Sequence, residues 1–469
     1  MAKYQKYTEY KDSGIEWLGE IPSHWESKKL KYLLDDLVRG PFGSALKKDF
    51  FVDSGFKVYE QKNCIRNDVK IGDSYVPKKI YEELERFSVK PYDLLMSCSG
   101  TIGKVVQVPD QFEIGIINQA LLIMRLDYKF LSSQFFLYSF RSDDIQNQIK
   151  DNTQGGAMQN LVATDIFKSI SFAIPPIIEQ NQIANFLDHE TAKIDSLITK
   201  QEKLIELLKE KRQAVISHAV TKGLNPDVNM KDSGVEWLGQ VPEHWKVAPI
   251  KRIIQLMEQG KSPECENIPA TLEQWGVLKT SCVNNGIFHS QQNKALPEHT
   301  KPHTQYQVKA GDVLMSRASG SINLIGSVAL VPNDVQENLL LSDKIFRIHL
   351  TKDCDARFFT LLMATPYMRT LIERAISGAE GMANNITKTS ILEFVSAIPP
   401  LKEQVELVEY LAKKIQAFDS LVVKASQAIE LMQERRTALI SSAVTGKIDV
   451  RNWQNPNHNN NEANTELGA

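Results

Sequence analysis

Lys11-Asp12-Ser13-Gly14-Ile15-Glu16-Trp17-Leu18-Gly19-Glu20-Ile21-Pro22-Ser23-His24-Trp25 returns almost unchanged as Lys231-Asp232-Ser233-Gly234-Val235-Glu236-Trp237-Leu238-Gly239-Gln240-Val241-Pro242-Glu243-His244-Trp245. The chain has 469 residues, and these two boxes hold four of its six Trp. A period of nearly half the chain is too long for a solenoid. It predicts two domain-sized units presenting two similar surfaces.

The repeat continues in the same order. Asp93-Leu94-Leu95-Met96-Ser97 answers Asp312-Val313-Leu314-Met315-Ser316, and each copy then reaches Ser-Gly (Ser99-Gly100, Ser319-Gly320). Ala173-Ile174-Pro175-Pro176 answers Ala397-Ile398-Pro399-Pro400, Glu179-Gln180 answers Glu403-Gln404, and Ala219-Val220-Thr221 answers Ala443-Val444-Thr445. Between these anchors, residues 28–90 and 248–308 have little in common. A retained framework with divergent interiors predicts one architecture serving two recognition tasks.

The interiors read as mixed structure. Short β-type runs (104–108, 326–331) are bounded by Gly or Pro, whereas 135–140 and 356–363 read as helix. Strict βαβ alternation is absent, so the expected class is α+β. After each Pro-Pro the pattern changes. Ile183, Leu187, Ile194, Leu197, Leu204, Leu208 and Val215 follow a heptad seam, as do Leu407, Leu411, Phe418, Leu421, Ala428, Met432 and Leu439. Pro before each run and Gly223 or Gly446 after it delimit two helices of roughly 65 Å.

Two equal seams are expected to bury against each other as an antiparallel coiled coil separating two pseudo-symmetric globular domains. The expected division is box 1–27, recognition domain 28–176, helix 177–222, box 223–247, recognition domain 248–400, helix 401–446, and an Asn-rich disordered tail 447–469.

Composition narrows the function. With 55 Lys+Arg against 57 Asp+Glu the net charge is −2, so any nucleic-acid surface must be a local basic face. Five Cys without CxxC spacing read as reduced thiols rather than zinc or disulfides. No apolar run reaches the ~18 residues of a membrane span. The opening Met-Ala-Lys-Tyr-Gln-Lys-Tyr lacks a secretion-signal core, so a cytoplasmic location is expected.

Catalytic signatures are missing. Gly100-Thr101-Ile102-Gly103-Lys104 has two residues between Gly and Gly-Lys where a phosphate loop needs four. There is no HExxH, GxSxG, Rossmann fingerprint or Asn/Asp-Pro-Pro-Tyr. His24 and His244 have no second ligand beside them and read as packing against Trp. A binder is expected, not an enzyme.

Polar loops supply the candidate contacts. They are Lys62, Asn63 and Arg66; Ser97, Ser99, Thr101 and Lys104; Gln154 and Asn160 flanking Gly155-Gly156 and Gln159; Lys279, Ser281, Asn284 and Asn285; Ser316, Arg317 and Ser319; and Asn384. Arg, Asn and Gln can grip guanine or adenine bidentately. Ser-Gly loops let backbone approach phosphate. Ordinary turn chemistry is the competing explanation for each loop.

The box, the 93–104 stretch and Ile174-Pro175-Pro176 with Glu179-Gln180 opening a long helix together resemble the DNA specificity subunits of type I restriction–modification systems. The resemblance spans nearly all of 11–447 in family order. It implies two target-recognition domains, each reading one half of a split double-stranded DNA target, with helices that set the gap and dock two modification (methyltransferase) subunits. It further implies restriction (motor-nuclease) subunits in the full complex. The chain itself would bind no cofactor, with S-adenosylmethionine, ATP and Mg²⁺ on the partner subunits. The contrasting reading is a coiled-coil scaffold for protein partners alone.

Overall fold

Each box folds as a hairpin whose turn chemistry explains its sequence. Tyr10–Asp12 pairs with Glu20–Pro22, and Met230–Asp232 with Gln240–Pro242. The Asp12 carboxylate accepts the Gly14 N–H at 2.9 Å, and Asp232 accepts that of Gly234 at 3.0 Å. Both glycines have positive φ, +71° and +69°, a conformation that disfavours side chains.

In this computed structural model the described residues are 4–42, 45–151, 153–154, 160–161, 164–284, 286–377 and 384–456. Gly155, Gly156, Gln159, Asn285 and the tail beyond residue 456 lie outside them. The chain divides into two units, Met1–Gln201 with Gln427–Ala469, and Glu202–Ser426. These cut across the expected linear division. Each unit contains one box, one globular region, the first half of one long helix and the second half of the other.

The globular regions share a plan despite their divergent sequences. In the first unit a four-stranded antiparallel sheet runs in the order Leu34–Arg39, Leu121–Leu126, Leu94–Ser97, Val105–Gln107. In the second the order is Ile254–Gln259, Ile345–Leu350, Val313–Ser316, Val328–Leu330. A three-stranded sheet accompanies each. Phe56–Tyr59 pairs with Tyr75–Val76 antiparallel and with Gly115–Ile117 parallel. Gly276–Leu278 pairs in the same two senses with Asn293–Ala295 and Leu339–Leu340. Residues 28–90 and 248–308 thus carry equivalent strands without recognisable sequence likeness. A strand position asks only for apolar residues of suitable volume, which many sequences supply.

The repeated Asp-x-x-Met-Ser run owes its Asp to the sheet. Asp93 holds Arg125 (Nε–Oδ1 3.0 Å) and accepts the Lys90 N–H. Asp312 approaches Arg347 at 3.4 Å and accepts the Lys309 N–H.

The long helices span Ile177–Lys222 and Leu401–Val444. In the first unit Arg436 grips Asp195 with Nε–Oδ1 2.9 Å and Nη2–Oδ2 3.3 Å. In the second, Arg212 approaches Asp419 at 3.3 Å. The seam is buried at its ends, where Ile183, Leu187, Ile194 and Leu439 join the core of the first unit, and Leu407 and Leu411 that of the second. Its middle is not, for Leu197, Leu204 and Leu421 are 43–49% exposed. Two helices alone cover only one side of each apolar stripe.

Residues 448–453, placed by the sequence in the expected tail, pack into the first unit. Ile448 and Val450 are buried in the first unit's core, the Asp449 N–H donates to the Gln5 carbonyl at 2.8 Å, and Trp453 packs edge-on against Phe186.

Candidate nucleic-acid interface

Strand order decides which loops meet. In the first unit Arg39 lies opposite Leu122, Leu121 opposite Ser97, and Met96 opposite Val105. The segments after Arg39, before Leu121, and between Ser97 and Val105 therefore converge at one end of the sheet. Glycine makes the approach possible. A Cβ on Gly40 would fall 2.0 Å from the Asn118 carbonyl oxygen, and one on Gly260 would fall 1.8 Å from that of Leu341. These two glycines are a further repeat pair, unnoticed in the sequence because their surroundings differ.

This end gathers many of the expected contacts. In the first unit Gln61 Nε2 donates to the carbonyls of Ser99 (2.5 Å) and Thr101 (3.1 Å), clamping the Ser-Gly loop. Lys104, leaving that loop, is exposed. Lys62 pairs with Glu60 at 2.8 Å, and Arg66 is exposed at the end of the short helix Gln61–Ile65. Gln154 and Asn160 face each other as a strand pair.

In the second unit Arg317 Nη1 donates to the Asp343 carbonyl at 3.2 Å, while Ser319 Oγ accepts the Ser321 N–H. Ala318–Ser319 pairs with Asn384–Asn385, bringing Asn384 to the same loop. Exposed Lys261 and Lys344 join Arg317, making this end locally basic within a nearly neutral chain. Lys279 follows the strand Gly276–Leu278, and Ser281 lies in the short 3-10 turn Thr280–Cys282, its Oγ donating to Gln292 at 2.8 Å. Asn284 pairs with Ile287 in a short hairpin.

Three candidates are internal. Asn63 has no exposed surface; its amide accepts the Glu60 N–H at 2.8 Å and donates to the Asp68 and Ile71 carbonyls. Ser97 and Ser316 are likewise fully buried at strand ends, and Ser97 Oγ accepts the Lys104 N–H at 3.0 Å. The Asn63 and Ser97 side chains shape the loops, Ser316 Oγ has no hydrogen-bond partner among the described residues, and none of the three offers surface to DNA. The alternation of a buried strand end with an exposed loop accounts for this: Ser97 and Ser316 still point inward, and exposure begins beyond them.

Residues 22–207 and 242–431 match the family described as "Type I restriction modification DNA specificity domain". The chain belongs to this type I DNA specificity family. It is 24% identical to the Type I restriction enzyme EcoKI specificity subunit of Escherichia coli (strain K12) over 392 residues, 82% of this chain and 80% of that one. It is also 24% identical to the putative MjaX specificity subunit of Methanocaldococcus jannaschii, covering 96% and 99% of the two chains. A solved chain from work on complex assembly and conformational transition of the type I R-M system shares the fold, with TM-score 0.65, 14% identity, and coverage of 90% and 98%. The present chain is accordingly a type I specificity subunit with two repeated recognition domains.

The specificity subunit's framework rests on four residues, one Glu-Gln pair per unit, to which the sequence had given no role. Glu179, 6% exposed, accepts hydrogen bonds from Tyr7 O–H (2.5 Å) and Trp25 Nε1 (3.0 Å), with His24 Nε2 2.8 Å away. Glu403 repeats this with Trp245 (3.0 Å) and His244 (2.9 Å). The repeated His therefore partners a carboxylate as well as packing beside aromatic rings. Gln180, fully buried, accepts the Ser132 N–H and donates to the Phe130 and Pro175 carbonyls. Gln404 does the same with Asp355, Asp353 and Pro399. Each Glu-Gln pair thus ties the start of a long helix to a box and to the globular region. Their repetition at one spacing after Pro-Pro was the available signal.

Burial pushes the Cys64 and Cys282 thiols up to about 12, leaving them protonated at neutral pH. Among the described residues no group of three or more His, Cys, Asp or Glu could hold a metal, and no helix is long and apolar enough to cross a membrane.

Proposed function

We propose that the two recognition domains, 28–176 and 248–400, each read one half of a split, asymmetric double-stranded DNA target. The observation that carries this reading is the repeated sheet end: one scaffold, built twice, bears loops of different sequence at the same place. Base-edge contacts from such loops would make the two half-sites independent.

The paired helices act as an antiparallel coiled-coil spacer that sets the unread gap, and they dock two modification subunits. Leu197, Leu204, Leu207, Leu421 and Leu431 all remain exposed along them, Leu431 at 65%. Apolar surface at this density favours a protein partner. The chain contributes recognition and no catalysis. S-adenosylmethionine belongs to the modification subunits, and ATP and Mg²⁺ to the restriction subunits that complete the complex.

Sequencing the methylated sites of DNA treated with the assembled complex tests the reading. A two-part motif with a fixed gap is the expected outcome. Methylation without sequence preference, or at a single undivided motif, would overturn it.

A further inference from the structure

Arg39 and Arg317 do not correspond in sequence. Arg39 ends the first strand of its four-stranded sheet, where the second unit has Gln259. Arg317 follows the third strand, where the first unit has Cys98. The tertiary structure nevertheless brings these positions to one place. In the second unit Gln259 Nε2 (2.6 Å) and Arg317 Nη1 (3.2 Å) both donate to the carbonyl of Asp343. In the first unit the matching carbonyl is that of Gln119, approached by Cys98 Sγ at 3.9 Å. Backbone pairing brings Arg39 to this end, since the Gly40 N–H donates to the Leu121 carbonyl (3.0 Å) and the Cys98 N–H to that of Ala120 (2.8 Å). Burial raises the Cys98 thiol pKa, and the nearby Arg39 guanidinium opposes the rise.

Each unit therefore holds a guanidinium beside the start of the loop that follows the third strand, and the supplying strand differs between them. Both guanidinia rest against an aromatic ring: Arg39 lies 5.1 Å from the Phe42 centroid and Arg317 5.9 Å from that of Phe346. A planar guanidinium braced on a ring is pre-organised for bidentate hydrogen bonding and loses little freedom on engaging an acceptor pair. Simple structural capping would not need an Arg in both units. A Gln already reaches the Asp343 carbonyl in one of them, yet that unit retains an Arg as well.

We infer that Arg39 and Arg317 are equivalent specificity-determining residues, each presenting its guanidinium to the O6/N7 edge of a guanine in the half-site read by its own domain. This rests on the half-site reading above and adds the residues and the base. Arg39→Ala and Arg317→Ala subunits are to be assembled with the partner subunits and their methylated motifs sequenced. Arg39→Lys and Arg317→Lys keep charge and stem should the Ala forms fail to fold.

Each variant is expected to lose about ten- to a hundredfold discrimination at one guanine position, Arg39 in one half-site and Arg317 in the other, with the remaining positions strict. A uniform fall at all sites would make both phosphate contacts and overturn the inference. So would an unchanged motif in folded, active assemblies. Failure of the underlying reading looks different, because the unsubstituted complex would then give no two-part motif.

Discussion

Trp25 and Glu179, 154 residues apart in the chain, are joined by a 3.0 Å hydrogen bond with the indole fully buried. The same carboxylate serves Tyr7 and His24. It also pushes the Tyr7 hydroxyl pKa well above its ordinary value, after burial, which contributes most. Glu179→Ala would orphan these donors at about 1–3 kcal/mol each. A fall in unfolding free energy of about 3 kcal/mol or more is expected in denaturant titration. Glu403→Ala should cost less, because Glu403 serves two donors and its side chain is 27% exposed. Equal losses would contradict this account of the two boxes.

Exchanging residues 28–176 for the matching domain of a relative should change one half-site and leave the other intact. The two units have separate cores and separate sheets. Methylation sequencing of the hybrid checks this, and alteration of both half-sites would rule out modular reading.

Inserting four residues after Lys200 adds about 6 Å and about 400° to the first helix, returning its seam to within roughly 40° of register. The Asp195–Arg436 pair places the matching insertion near Leu431. The doubly extended subunit should methylate a motif with unchanged half-sites and a gap wider by one or two base pairs, at about 3.4 Å per step. An active complex with an unaltered gap would show that other elements set the spacing.

Ile448→Ala should destabilise the first unit by about 2–4 kcal/mol, the usual cost of emptying a buried Ile site. Ile448 is 5% exposed in that unit's core. Thermal unfolding of the variant measures this, and a shift near zero would mean that the segment after Gly446 adds nothing to the fold.

Acid should loosen the same segment. Burial raises the Asp449 pKa, but hydrogen bonds from the Arg451 side chain and backbone, together with the charge of Arg451, outweigh it and hold the carboxyl below its usual value. A depressed folded-state pKa contributes stability above the unfolded value of about 4, and that contribution disappears as pH falls through the folded value. Asp449→Asn should therefore narrow the stability difference between pH 6 and pH 3. An undiminished difference would exclude Asp449 as its source.

How much was legible depended on what each residue answers to. Asp12-Ser13-Gly14 and Pro175-Pro176 answer to local backbone geometry, so their repetition could be read directly. The helix starts at residues 177 and 401 followed from Pro, and their length from the uninterrupted pattern. Asn63, Ser97 and Ser316 carry the same groups as exposed recognition residues, and only burial distinguishes them. The seam at Leu197, Leu204 and Leu421 has heptad spacing whether it faces another helix or solvent, so periodicity could not reveal its exposure.

By itself the sequence determined the duplication, the mixed fold class, the two long helices and the family, because these depend on order, spacing and local propensity along the chain. Tertiary structure alone decided that the divergent interiors carry equivalent sheets, that Gly40 and Gly260 permit close approach at one sheet end, and that Arg39 and Arg317, supplied by different strands, lie at equivalent ends of their sheets. Such relationships arise from strand pairing between segments distant in sequence. Pairing registers are set by the packing of whole sheets rather than by any residue's neighbours in the chain.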